Sequence, residues 1–211
     1  MSIITEILID FSGSMADRLH ITKQALINDI IPSLDYSSRL GIKTFTSTNN
    51  QVDIQQILPL SITNKESIVE AVNKLGTPKG GTPMSAAIRE SIKGLREFAA
   101  NDKKIILITD GAEDAGGDYV AEAKKGIADG VNCQIHIIGI GISDKGQLQA
   151  QEISKLTNGT YSSIPFTKTT NYSSVAVKDS LFNFYGAVSR TTVPYNFNSL
   201  QISNLRQKPP R

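Results

Sequence analysis

Ile3-Ile4-Thr5-Glu6-Ile7-Leu8-Ile9 runs straight into Asp10-Phe11-Ser12-Gly13-Ser14-Met15, and this junction decides the fold. The run before Asp10 is β-branched or aliphatic at almost every position, so both faces of the strand it forms are apolar. Such a strand belongs in the middle of a parallel sheet covered on both sides. Residues 104–109 and 133–140 repeat the pattern. Residues 40–46 and 52–58 are more mixed and are separated by Ser47-Thr48-Asn49-Asn50, which predicts a hairpin with an antiparallel strand at one edge of the sheet. Tyr161–Ile164, after the Asn158-Gly159 turn, is expected as a short last strand at the other edge.

Helical periods fill the gaps. A first helix fits 19–31 and ends before Pro32. In 64–75, Ile68, Val69, Val72 and Leu75 form one stripe, opened by the capping box Thr63-x-x-Glu66 and closed by Gly76. In 83–99, Met84, Ile88, Ile92, Leu95 and Phe98 recur at helical spacing, with Pro83 at the first helical position. Asp118 is placed to cap a helix that stops at Gly130, and Ser143 one that stops near Asn158. A last helix fits 172–189, where Val177, Leu181, Phe184, Tyr185 and Val188 share a face. Strands alternating with helices predict an α/β fold with a mainly parallel sheet, one domain over 1–190 and a polar tail over 191–211.

Composition sets the limits on chemistry. A chain of 211 residues buries roughly 70% of its unfolded surface, enough for one sizeable core. Net charge is +2, too small to advertise nucleic acid or an anionic membrane as the partner. The single cysteine, Cys133, has no disulfide partner, and with only His20 and His136 a Cys/His zinc site lacks ligands. His136 and Cys133 sit in an apolar strand and read as core, His20 as surface. The start has no basic n-region, and no apolar run is long enough to span a bilayer, so a cytoplasmic protein is expected.

Ligands of open α/β sheets bind beyond the carboxyl ends of the strands, where strand order reverses. After the first strand comes Asp10-Phe11-Ser12-Gly13-Ser14; after the strand at 104–109 comes Asp110-Gly111; before the helix at 83–99 comes Gly80-Gly81-Thr82-Pro83-Met84. Together these offer two carboxylates and three hydroxyls, a set of oxygen donors that suits Mg²⁺ or Mn²⁺ better than a charge-rich Ca²⁺ cage. Alternate side chains of an extended loop point the same way, so Asp10, Ser12 and Ser14 can converge. Taken singly, each motif is also an ordinary turn or cap: Asp10 closing a strand, Thr82-Pro83 opening a helix, Asp110-Gly111 a turn pair. Glu113 and Asp114 read as a solvated loop and Asp118 as a helix cap. Gly139-Ile140-Gly141 lacks the third glycine of a dinucleotide fingerprint, and no phosphate-binding P-loop or nucleophile elbow is present.

The three motifs together resemble, in order and approximate spacing, the metal-ion-dependent adhesion site of von Willebrand factor type A domains. The resemblance covers residues 3–190. It implies a Rossmann-like, doubly wound, six-stranded sheet ordered 3-2-1-4-5-6 with strand 3 antiparallel. It also implies Mg²⁺ held by Ser12 and Ser14, with Thr82, Asp10 and Asp110 contributing directly or through water. Hydroxyl ligands leave much of the cation's charge uncompensated, so an acidic side chain of a partner protein is the expected occupant of the open position. The implied role is an adaptor without enzymatic activity. Intracellular members resemble bacterial adaptors that work beside kinases, phosphatases, proteases or AAA+ ATPases. Two alternatives belong to other classes: a metal-dependent phosphohydrolase using Asp10 or Asp110, and a metal-independent scaffold that binds through the basic end 206–211.

Overall fold

The computed structural model describes residues 3–100, 102–111 and 113–167. The helix expected at 172–189 and the tail at 191–211 lie outside these. Six strands form one sheet in the order β3-β2-β1-β4-β5-β6. They are β1 (Ile3–Asp10), β2 (Arg39–Thr48), β3 (Gln51–Ile62), β4 (Asp102–Thr109), β5 (Cys133–Ile140) and β6 (Tyr161–Ile164). All neighbours run parallel except β2 and β3. The expected order and edge strand are thus observed.

Period-two alternation sorts the strand side chains onto two cores. Ile7, Ile9, Ile106, Ile108, Ile138 and Ile140 face one side, where they meet α1 (Leu19–Ala25) and α3 (Lys65–Asn73). Leu8, Ile105, Leu107, Ile135 and Ile137 face the other, beneath α4 (Met84–Arg96), α5 (Tyr119–Ala128) and α6 (Asp144–Leu156). Every residue of β1 is buried, as its two-faced apolar run requires. Each of its isoleucines and leucines contributes about 1.5–3 kcal/mol relative to an exposed position. Among the described residues no helix is long and apolar enough to cross a membrane.

Local chemistry explains where the elements depart from expectation. The hairpin turn narrows to Asn49-Asn50, at φ 51° and 61°, the left-handed pair that suits a two-residue connection between twisted strands. β3 continues to Ile62 through Pro59, which an edge strand tolerates because its outer N–H groups need no partner. The first helix starts at Leu19 as expected, and tight 3-10 turns over Gly13–Arg18 lead into it. It then runs past Pro32, through a wide turn at Leu26–Ile30 into α2 (Ile31–Ser33), the wide turn falling where Pro32 has no N–H to give the ladder. α3 is capped by Asn64 rather than Thr63, because the Asn64 side-chain carbonyl accepts from the Ser67 N–H at 2.8 Å. Pro83 precedes α4 as its cap residue instead of opening it, and α4 ends at Arg96. Asp118 and Ser143 cap α5 and α6 as expected.

Candidate metal centre

β1 pairs with β2 on one side and with β4 on the other, so the reversal of strand order falls at the carboxyl end of β1. Ile9 pairs with Ile108, which sends Asp10 and Thr109 out of the sheet side by side. Asp10 is 1% exposed. Its Oδ1 accepts from the Ser12 N–H at 2.9 Å and its Oδ2 from the Thr109 hydroxyl at 2.7 Å. Thr109 Oγ1 in turn accepts from the Gly111 N–H at 2.9 Å, which sets the start of the loop that carries Asp110.

The two serines complete the link. Ser12 Oγ and Ser14 Oγ are 3.1 Å apart, and Ser14 Oγ donates to Asp110 Oδ1 at 3.1 Å. Ser12 is buried and Ser14 exposed, so the cluster starts under the surface and opens at its outer edge. Thr82 arrives differently. Its loop is laid against the β1 loop by backbone hydrogen bonds, Gly13 N–H to Gly80 carbonyl at 2.8 Å and Lys79 N–H to Phe11 carbonyl at 2.9 Å. Gly80 has φ +84°, and a Cβ there would lie 2.1 Å from the Ser47 carbonyl oxygen, so only glycine lets the loop lie this close. The Thr82 hydroxyl is not part of the chain of hydrogen bonds joining the other four residues.

Asp10, Ser12, Ser14 and Asp110 are therefore in one cluster, with buried Thr82 held on the neighbouring loop. Burial pushes the Asp10 carboxyl up to about 6; hydrogen bonds from Thr109 and Ser12 pull it down, and the charge of Asp110 adds to the rise. A buried carboxylate held this way is stabilised by a cation. Among the described residues no group of three or more His, Cys, Asp or Glu side chains could hold a metal. The donors gathered here are instead hydroxyls and two carboxylates, which fits a hard divalent ion such as Mg²⁺ or Mn²⁺.

Sequence reasoning missed four side chains at this edge. Thr109 orients Asp10 through its hydroxyl. Arg18, one helical turn beyond Ser14, stands 3.3 Å from Asp110 Oδ2. Glu113 and Asp114 are not a free solvated loop: Glu113 Oε2 accepts from the Ser85 N–H at 2.7 Å, and Asp114 Oδ1 accepts from the Thr82 N–H. Glu113 satisfies an orphan N–H in the first turn of α4, and Asp114 holds the Thr82 backbone in place just before it. The spacing of Arg18 from Ser14 was a readable signal. The contacts of Glu113 and Asp114 cross 28 and 32 residues, and no local pattern announces them. His20 is exposed. His136 is fully buried, its Nδ1 3.0 Å from Thr160 Oγ1, and Cys133 is buried, as expected of core residues.

The chain matches the family described as von Willebrand factor type A domain over residues 6–178. The uncharacterized protein YwmC of Bacillus subtilis (strain 168) is 29% identical over 172 residues, 74% of each chain. Among solved structures, BatB, a conserved hypothetical protein from Bacteroides thetaiotaomicron, superposes with TM-score 0.65 at 22% identity, covering 88% of this chain and 99% of that one. An aerotolerance-related membrane protein from Bacteroides fragilis gives TM-score 0.62 at 23% identity, covering 85% and 96%. Proximal thread matrix protein 1 from the mussel byssus, with a zinc-occupied MIDAS motif, gives TM-score 0.65 at 20% identity, covering 88% and 47%. At such identities the structural likeness is one of fold.

Proposed function

The chain belongs to the von Willebrand factor type A domain family, whose members often mediate metal-dependent protein interactions, and from that premise we propose that it is a Mg²⁺- or Mn²⁺-dependent adaptor. Ser12, Ser14 and Thr82 supply neutral oxygens and Asp10 and Asp110 the negative charge, directly or through water. When bound, the cation supplies an open position for a carboxylate from a partner protein. Ser14 is exposed at the outer edge of the cluster, which supports approach of a partner from that side. The observation that carries this reading is the hydroxyl-rich cluster running from buried Asp10 through Ser12 and Ser14 to Asp110.

The role is binding, not turnover. Of the two carboxylates, Asp10 is enclosed and Asp110 is engaged by Ser14 and Arg18. Neither is poised as a free nucleophile or general base. The partner is a protein with an accessible Asp or Glu, such as a kinase, phosphatase, protease or AAA+ ATPase of the same system, with no role for nucleic acid or membrane. A cytoplasmic location belongs to the same proposal, and cell fractionation tests it. The adaptor role is tested by capture from source lysate: partners retained in Mg²⁺ and released by EDTA support it, and partners indifferent to EDTA refute it.

A further inference from the structure

The Arg18 guanidinium stands where the loops of the candidate site meet. Nη1 is 3.3 Å from Asp110 Oδ2 and also donates to the Ser14 carbonyl. Nε donates to the Ile140 carbonyl at 3.1 Å, and the guanidinium carbon lies 4.7 Å from the centroid of the Phe166 ring. One side chain thus joins the loop after β1, the loop after β4, the end of β5 and the stretch after β6. Gly141 accommodates this packing: it has φ +62°, and a Cβ there would come within 2.8 Å of Phe166 Cβ and 3.4 Å of Arg18 Nε.

Asp110 divides its two oxygens, Oδ1 to the Ser14 hydroxyl and Oδ2 to Arg18. A guanidinium does not lose its proton in a protein, so Arg18 is a permanent positive charge set against a carboxylate that the cation reading also claims. The pair is mostly enclosed, with side chains 21% and 8% exposed, so solvent screens it less than a surface pair. With Asp10 and Asp110 ionised and Arg18 present, the cluster carries one net negative charge; a divalent cation turns this to one positive, and one incoming carboxylate brings it to zero.

Resting on the cation-site reading above, we propose that Arg18 is a built-in competitor of the cation, a positioning residue that holds Asp110 in the metal-free arrangement and keeps metal affinity low until a partner carboxylate arrives. Cation and acidic partner then bind cooperatively, because each removes the charge that opposes the other. Arg18→Gln keeps hydrogen-bonding capacity but removes the charge, whereas Arg18→Lys keeps the charge.

The test is calorimetric titration of the full chain with MnCl₂, and separately MgCl₂, at low ionic strength. The chain carrying R18Q binds about tenfold more tightly than the unsubstituted chain, the size expected for losing one nearby like charge, and R18K stays close to the unsubstituted value. R18Q binding no tighter, in a chain shown to be folded by circular dichroism, overturns the proposal, as does R18K matching R18Q. If the unsubstituted chain binds no cation, the site reading itself fails; binding without the R18Q gain sinks only the role of Arg18. Should R18Q not fold, the Arg18 Nε–H resonance of ¹⁵N-arginine-labelled chain decides. It moves on saturation with MgCl₂ if Arg18 is displaced, and an unmoved resonance contradicts the proposal.

Discussion

Ser14 Oγ donates a hydrogen bond to Asp110 Oδ1 at 3.1 Å across 96 residues of sequence, tying the loop after β1 to the loop after β4. The sheet makes this contact possible: β1 and β4 are neighbours in register, so both loops leave from the same height. Carboxylates gathered at one edge in this way are stabilised by positive charge, whether from Arg18 or from a bound cation.

Asp10→Asn separates stability from binding. Without metal, the folded chain holds the Asp10 proton more tightly than the unfolded chain does, because burial raises the carboxyl from 3.8 to about 6. The contribution of Asp10 is therefore most favourable below about pH 4 and is lost as pH rises through about 6, a cost of about 3 kcal/mol at neutral pH. In EDTA at pH 7.5, Asp10→Asn raises the thermal midpoint; with Mn²⁺ the order reverses, because only the unsubstituted chain gains from the ion. Melting curves under both conditions check this.

Proton competition limits cation binding. Since Asp10 must be ionised to help hold the ion, apparent Mn²⁺ affinity is roughly constant above pH 7 and falls about tenfold per unit below about pH 6. A flat profile between pH 7 and 5 would remove Asp10 from the ligand set.

His136 supplies the opposite pH dependence. Burial, with Lys104 adding to it, lowers the imidazole to about 4. The unfolded chain then binds the proton more readily between about pH 6.5 and 4, so stability is full above 6.5 and declines as pH falls toward 4, by about 3 kcal/mol. In the unsubstituted metal-free chain Asp10 offsets this. Asp10→Asn exposes it, and urea unfolding of that variant at pH 5 and pH 7.5 shows lower stability at pH 5.

Thr82 depends on Asp114. Asp114→Ala leaves the Thr82 N–H without its carboxylate acceptor and frees the loop before α4. A loss of about 1–3 kcal/mol is expected, with weaker Mn²⁺ binding that Thr82→Ala reproduces without the full stability loss. Parallel denaturation and titration of the two variants distinguish holding from ligation.

Gly80→Ala acts on the same loop through the backbone. With φ +84° and the Ser47 carbonyl 2.1 Å from the added Cβ, the loop must move away from Gly13. Stability falls by about 2 kcal/mol or more and cation affinity falls with it. Unchanged affinity would show that the position of Thr82 is immaterial.

The sheet was legible because its strands announce themselves: two-faced apolar runs at 3–9, 104–109 and 133–140 admit only central places, and Asn49-Asn50 fixes the hairpin. Helix ends were less so. Asn64 outcompeted Thr63 as a cap because the choice between adjacent capping residues depends on which one the chain leaves extended. At the site, Asp10, Ser12, Ser14 and Asp110 were readable from motif position, since strand order carries them to one edge. Thr109, Glu113 and Asp114 were not, because their work lies in contacts to groups that only the folded loops bring near. Arg18 offered its spacing from Ser14, but its contact with Asp110 is of the same long-range kind.

The most direct test of the cation site is isothermal titration of MnCl₂ or MgCl₂ into the full chain and into Asp10→Ala. The unsubstituted chain binds one equivalent and Asp10→Ala, though folded, binds none measurable at the same concentration. Indistinguishable titrations of the two would contradict the assignment of Asp10, Ser12, Ser14, Thr82 and Asp110 as a metal centre.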